Sequence, residues 1–457
     1  MTVVEIVRQY RYYSCPSHKS TTPISHHRRS MESTTESPAN KAPPEPRSLP
    51  FLTAFAGIVA FFAAWKAVQS PSETAHLVST SGGVACTEVI VDGEVRTTAH
   101  EYLTDVAAVK GFHVLCIRKV QGGDPWTLNI TAFKDGTAPS QSTHSSMDMH
   151  DVKTQLETLL EIQGPTNDLA VKYKQPYAFF SPKGQRLERL DDMVNNVVFL
   201  FEGGQFIWPG IRIGHKTVVE DVRDKGTVVM ETLSMIPLIF SVEEFLQDDE
   251  IDLILDLSLD KLKPSSVALK DGHENRAATD WRTSTTYFLS SSAHPKLHEI
   301  DQRVADLTKV PIAHQEDLQV LRYEKTQKYD QHTDYFPAEQ HRKSPHVLEM
   351  IDHGYKNRMI TVFWYMSDVA KGGHTIFPRA GGAPQPSTFT DCSRGLKVPP
   401  KKRKVIVFYN LLPNGEGDEM SLHGGCPVEE GVKYSGNKWV WNKARVEAPQ
   451  EDGDHGE

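Results

Sequence analysis

The chain has 457 residues, 39% of them hydrophobic, with a formal net charge of −9. That length holds one large or two medium domains with tails, and the acidic balance excludes a general nucleic-acid binder. Five cysteines allow at most two intrachain disulfides with one left over.

Residues 1–48 are rich in Ser, Thr, Pro and charge, have little to bury, and read as a disordered tail. Leu49–Trp65 (LPFLTAFAGIVAFFAAW) then runs for 17 residues without a charge, the short end of the range for a membrane-spanning helix. Arg28, Arg29, Lys41 and Arg47 precede it, which predicts a signal-anchor over 49–66 with a cytoplasmic N-terminus and a lumenal body. A cleaved signal peptide or a buried helix are the alternatives. The long leader and the lack of a clean small-residue cleavage site argue for the anchor. The expected location is the membrane of the endoplasmic reticulum or Golgi, in single-pass type II orientation. Asn129-Ile130-Thr131 is a glycosylation sequon. Cys86 with Cys116, and Cys392 with Cys426, are candidates to pair in an oxidising compartment, although spacing leaves the connectivity open. Cys15 falls on the cytoplasmic side.

Residues 67–83 read as a polar stalk. From 84 to 230 short apolar runs alternate with Gly and Pro, which predicts a smaller accessory domain of strands with one helix near Asp151–Gln163. Residues 231–445 form the expected catalytic domain, and 446–457 an acidic tail. Ser241-Val242-Glu243-Glu244 has the form of a capping box opening a helix whose apolar face is Phe245, Ile251, Leu253 and Leu257. A second helix is expected over Pro295–Lys309, with Leu297, Ile300, Val304 and Leu307 in register and Pro295 in its first turn. Strands follow at Asp317–Tyr323, Met359–Met366, Val405–Tyr409 and Lys438–Asn442. Helices buttressing short strands joined by Gly/Pro-rich loops predict an α+β fold, a double-stranded β-helix (jelly roll) of the cupin type.

The chemistry centres on Leu321–Phe336 (LRYEKTQKYDQHTDYF). His332 and Asp334 are two apart, so an extended backbone sends both side chains to one face. His423 follows 91 residues after His332. Two imidazoles and one carboxylate are the ligand set of non-haem Fe(II) oxygenases, which leaves adjacent positions open for a 2-oxo acid and dioxygen. The triplet alone is weak: His314-x-Glu316 and His455-x-Glu457 share its form and are not read as ligands. A five-carbon oxo acid also needs a cation for its distal carboxylate. Lys433, ten residues after His423, is the candidate, with Lys438 and Lys443 as competitors.

Five blocks then carry a resemblance. They are RTSTTYFLS (282–290), LRYEKTQKYDQHTDYF (321–336), NRMITVFWYMSDVAKGGHTIFP (357–378), CSRGLKVPPKKRKVIVFYN (392–410) and SLHGGCPVEEGVKYSGNKWVWN (421–442). In order and spacing they resemble the prolyl 4-hydroxylase family of Fe(II)/2-oxoglutarate dioxygenases, nearest the plant and algal membrane-anchored type. The resemblance implies hydroxylation of peptidyl proline with Fe(II), 2-oxoglutarate as cosubstrate and ascorbate as reductant. It implies His332, Asp334 and His423 as iron ligands and Lys433 as the anchor of the oxoglutarate C5 carboxylate. Tyr323 and Thr361 match positions lining the oxoglutarate pocket, and Tyr329 and Trp439 match aromatic positions beside the substrate proline. The chain departs from the family's Gly-Gly-Glu-Thr at Gly372-Gly373-His374-Thr375; His374 is not expected to bind metal. The basic run PPKKRKV (399–405) has the form of a nuclear import signal but leads into a matched strand, so it is read as a loop and strand edge. The rivals are the same chemistry on peptidyl lysine or a small molecule, and a lumenal peptide-binding module without turnover.

Overall fold

The computed structural model describes residues 83–105, 108–120, 127–164, 177–267, 270–272 and 277–445. The apolar stretch at 49–65, most of the stalk, Cys15 and the acidic tail lie outside the described residues. Among the described residues no helix is long and apolar enough to cross a membrane.

A short hairpin, β1 (Glu88–Val91) and β2 (Glu94–Thr97), precedes an antiparallel sheet of six strands. These are β3 (Phe112–Val120), β4 (Thr127–Phe133), β5 (Gln141–Ser146), β6 (Ala178–Phe180), β7 (Arg186–Leu187) and β8 (Val197–Phe201), in the order β5-β4-β3-β8-β6-β7. Side chains alternate across the sheet. Leu115, Ile117, Val198 and Leu200 face the helix Met149–Leu160, which buries Val152, Leu156 and Leu160 against them. Each of those three helix side chains contributes roughly 1.5–3 kcal/mol. The helix begins two residues before the expected start because Asp148 accepts the His150 and Asp151 amides as its cap; Glu161, at φ 59°, ends it. Cys86 and Cys116 are bonded, Cα–Cα 5.6 Å, as are Cys392 and Cys426, Cα–Cα 6.0 Å.

The opposite face of this sheet (Phe112, Val114, Phe199, Phe201) enters the main core, which it shares with the rest of the chain. That core lies on the outer face of a nine-stranded antiparallel sheet. Its strands are β9 (Lys216–Val222), β10 (Gly226–Met235), β11 (Leu238–Val242), β12 (Lys263–Pro264), β13 (Thr285–Leu289), β14 (Leu318–Tyr323), β16 (Arg358–Tyr365), β20 (Val405–Tyr409) and β23 (Lys433–Trp441). The boundary placed at 230/231 therefore falls inside β10. A smaller sheet of β15 (Tyr329–His332), β18 (Thr375–Phe377), β19 (Leu396–Val398) and β21 (His423–Gly425) packs on the inner face. The strands β17 (Lys371–Gly372) and β22 (Val428–Glu430) pair beside it. Strand β16 shows the two-sidedness: Ile360, Val362 and Trp364 lie in the outer core, whereas Phe363 and Tyr365 join Leu321, Tyr323, Phe377 and Phe408 in the interior between the sheets.

The helix Pro295–Thr308 forms as expected, with Leu297, Ile300, Val304 and Leu307 buried. The capping box at 241–244 does not form. Ser241 lies within β11, paired with Ile406, because the apolar run Leu238–Val242 completes the large sheet. Glu244 sits at φ 54° in the turn that follows, and the helix starts only at Asp248, where Gln247 and Glu250 make the reciprocal cap. The turn's acids pair instead with the basic run: Lys401 and Lys404 with Glu243, Arg403 with Glu244, and Lys402 with Asp248.

Candidate active site

Strands β15 and β21 pair antiparallel with His332 directly opposite His423, which brings two imidazoles to a centroid separation of 4.5 Å. Asp334 follows His332 by two residues and closes the group. One ligand atom from each of the three lies within 4.8 Å of the others. Each ring is oriented by its far nitrogen: the Nδ1 of His332 is 2.8 Å from the Asp330 carbonyl, and that of His423 is 2.9 Å from the Ser421 carbonyl. A carbonyl only accepts, so both Nδ1 atoms carry the proton. The Nε2 atoms face Asp334, at 3.5 Å from Oδ1 and Oδ2 respectively. This is how metal-ligating histidines are held.

The electrostatics agree. Burial pushes the Asp334 carboxyl up, but the neighbouring positive charge, Arg358 included, outweighs it and holds the group far below the usual carboxylate range. Burial lowers His423 to about 4, so its imidazole is neutral at neutral pH. Ionised carboxylate and neutral imidazole are the forms that bind a metal.

Asp334 Oδ2 is fixed by two donors, the Thr361 hydroxyl at 2.7 Å and the Trp439 indole N–H at 2.9 Å. Asn410 donates to the Thr361 oxygen at 2.9 Å. Beneath Trp439 the Arg358 guanidinium stacks at 3.5 Å. Glu316 grips that guanidinium through two oxygens at 2.6 and 3.0 Å and also accepts the Trp441 indole N–H at 2.7 Å. Glu316 is therefore committed to Arg358 and is not a ligand.

Lys433 opens β23 opposite Tyr323 of β14. It is buried, and its ammonium lies 5.1–5.6 Å from the rings of Tyr323, Phe363 and Tyr365. Among the described residues no carboxylate forms an ion pair with it, and burial lowers its pKa to about 7. A buried cation flanked by rings, with no carboxylate paired to it among the described residues, is a built receptor for an anion. Its competitor Lys438 points to the opposite face of β23 and pairs with Asp301 at 2.6 Å.

Residues 318–441 match the family model described as the 2OG-Fe(II) oxygenase superfamily. The Arabidopsis thaliana proteins named Probable prolyl 4-hydroxylase 4 and Prolyl 4-hydroxylase 2 are each 38% identical to the chain over 218 residues. Each alignment covers 46% of this chain, with 70% and 69% of the respective relatives. The chain belongs to the prolyl 4-hydroxylase family of 2OG-Fe(II) oxygenases. Among solved structures, the viral collagen prolyl hydroxylase of Paramecium Bursaria Chlorella virus-1 aligns over 44% of this chain and 95% of its own, at 21% identity and a TM-score of 0.33.

His332, Asp334 and His423 come together, and Lys433 and Tyr323 share the interior between the sheets. Thr361 places its hydroxyl on Asp334. Thr375 was not singled out from the sequence. It is buried on β18 and accepts the Tyr365 hydroxyl at 2.8 Å on the ring that flanks Lys433.

A cleft of about 590 Å³ opens beside His332, lined among others by Trp281, Tyr329, Tyr335, Phe389 and Leu422. Tyr329 stacks on the His332 ring at 3.7 Å, and burial pushes its phenol up to about 12. The buried guanidinium of Arg282 covers the other face of Tyr329 at 4.4 Å. Trp439, expected as a second aromatic wall, is buried under Asp334 and does not line this cleft. Its indole N–H is turned to Asp334 Oδ2 as a second donor beside the Thr361 hydroxyl. His374 is half-buried near Lys433 and outside the metal-binding group. Arg282 and Asn410 fell inside the recognised blocks, but no local pattern marks which residue a side chain will stack on.

Proposed function

We propose that this protein hydroxylates peptidyl proline to 4-hydroxyproline while converting 2-oxoglutarate and dioxygen to succinate and carbon dioxide. The observation that carries the reading is the pairing of a built metal site with an unpaired buried cation in one interior. His332 and His423 supply Nε2 atoms, and Asp334 supplies a carboxylate oxygen. Bound there, Fe(II) with 2-oxoglutarate supplies oxidative decarboxylation and oxygen insertion into an unactivated C–H bond. Lys433 binds the distal carboxylate of the oxo acid. The rings around it exclude water, which strengthens that contact. Tyr329 lines the cleft beside the metal site, where its ring edge offers apolar surface to a rigid pyrrolidine ring.

The same reading takes the two facing sheets as a double-stranded β-helix, which can hold residues distant in sequence on one rigid frame. It places the catalytic body in the lumen of the endoplasmic reticulum or Golgi, behind an anchor at 49–66. The sequon at Asn129 is then a glycan acceptor, and ascorbate is the reductant that restores Fe(II).

The test mixes the purified chain with Fe(II), 2-oxoglutarate, ascorbate and a poly-proline peptide, with His423→Ala as control. Succinate release matched by a gain of one oxygen atom on proline, both absent in the variant, is the expected result. Succinate without peptide oxidation discards the proline substrate and keeps the iron chemistry. A folded, iron-loaded protein with no turnover across several peptides leaves a binding module.

A further inference from the structure

The N-terminal sheet lies outside the span matched by the family model, yet the ends of its central strands β3 and β8 meet the segment that carries a metal ligand. Residues 410–422 connect β20 to β21 and end on His423. The segment folds back on itself, with Leu411 bridged to Gly417 and the Leu412 amide donating to the Glu416 carbonyl at 2.8 Å. Its outer side rests on the N-terminal sheet. The Gly203 amide donates to the Pro413 carbonyl at 2.7 Å, and the Lys110 ammonium reaches Glu416 at 2.9 Å.

The fit there is backbone to backbone. A Cβ on Gly203 would sit 2.8 Å from the Gly415 nitrogen, and one on Gly111 would sit 2.7 Å from the Asn414 nitrogen. Neither contact can relax by a rotamer change. The inner side of the same turn is equally tight, since a Cβ on Gly417 would overlap the Tyr335 ring. Tyr335 directly follows Asp334 and lines the cleft.

Both ends of the segment reach the metal ligands. At one end Asn410 donates to Thr361, which donates to Asp334. At the other the Ser421 carbonyl accepts the His423 Nδ1 proton, and Glu419 and Leu422 line the cleft. A second lock sits just upstream, where the Trp208 amide donates to the Tyr409 hydroxyl at 3.1 Å and the Trp208 indole N–H to the Leu307 carbonyl at 2.7 Å.

We infer that Lys110, Gly111 and Gly203 are positioning residues of the metal site: the N-terminal sheet sets the height of the 410–422 segment and through it the aim of His423 and the Asp334–Tyr335 wall. The sheet is then a working part of the active site. The catalytic consequence rests on the proposed hydroxylase reading, but the positioning itself is read without turnover.

The experiment titrates the apo full-length chain with Co(II), following affinity and the visible ligand-field band, in wild type, Gly203→Ala and Val198→Ala. Val198 faces the helix Met149–Leu160 on the far side of the sheet, so its truncation loosens the same sheet without touching the segment. Gly203→Ala is expected to weaken Co(II) about tenfold, the size seen when outer supports of metal ligands are lost, and to shift the band. Val198→Ala should lower thermal stability and leave both unchanged. Unaltered affinity and band in folded Gly203→Ala, or equal changes in Val198→Ala, overturn the inference. Should Gly203→Ala not fold, Lys110→Glu decides at low ionic strength: facing Glu416 it should weaken Co(II) about two- to threefold, and no shift overturns the inference. Failure of the hydroxylase reading appears separately, as wild-type protein that binds Co(II) normally but releases no succinate with Fe(II).

Discussion

The two faces of strand β23 carry the same residue type to opposite ends. On the outer face Lys438, 1% exposed, meets Asp301 of the helix Pro295–Thr308; on the inner face Lys433, 2% exposed, meets three aromatic rings. Both ammonium groups have lost their water. One has its charge closed by the fold, and the other has it left open. Burial alone thus does not mark a functional lysine. The missing counter-charge does, because a fold that tolerates an uncompensated cation loses stability that only a ligand restores.

The sharpest break of this comparison is Lys438→Met. It strands Asp301 without its partner, with the Ser291 hydroxyl remaining as a donor. Breaking a buried pair from one side costs about 3–5 kcal/mol, so chemical denaturation should show a loss of that order. Lys433→Met should do the opposite in the same assay. It removes an unpaired charge and keeps the volume, so stability should hold or rise. Its effect falls on 2-oxoglutarate, whose KM should increase by about 10- to 100-fold, corresponding to about 1.5–3 kcal/mol for a charged hydrogen bond. A Lys433→Met protein that unfolds as readily as Lys438→Met would collapse the distinction.

The two lysines also bound what was readable before the structure. The His332-x-Asp334 pair was readable because it is local, although β15 ends at His332 and Asp334 follows beyond the strand; His423 joins it through the pairing of β15 with β21. The helix over 295–308 was readable for the same reason. Lys433 against Lys438 was not decidable from spacing, since Pro427 and Gly431 interrupt the parity and the strand starts only at Lys433. The helix start at Ser241 was misread because its local capping pattern competes with a ladder to Val405–Tyr409, more than 160 residues away. No local sign marked that the Trp439 N–H would meet Asp334. Long-range pairing decided all three.

Titration sharpens the contrast further. An unfolded lysine titrates near about 10.4, whereas Lys433 sits at about 7 in the fold. Between those values the unfolded chain binds more protons than the folded one, so the stability of the ligand-free protein should rise with pH across that window. Anion binding needs the charged form, so 2-oxoglutarate affinity should fall as pH rises above about 7, with proton uptake on binding in calorimetry. Lys433→Arg keeps its charge throughout and should flatten that slope. A slope that survives in the arginine variant assigns it to another group.

The smallest expected effect tests the floor of the site. Trp439→Phe keeps the aromatic surface under Arg358 and removes only the indole N–H from Asp334 Oδ2. The Thr361 hydroxyl remains on that oxygen, so it is not left unsatisfied. The loss should be about 1 kcal/mol, or about fivefold in Co(II) or Fe(II) affinity. The KM for the prolyl peptide should stay unchanged, because the indole does not line the cleft. Were Trp439 instead a wall for the substrate ring, the pattern would reverse: peptide KM would move and metal affinity would not. Tyr329→Leu is the matching variant on the other side of His332. It should raise peptide KM while sparing the Asp334 donors, so the pair separates the support of the metal from the surface offered to the substrate.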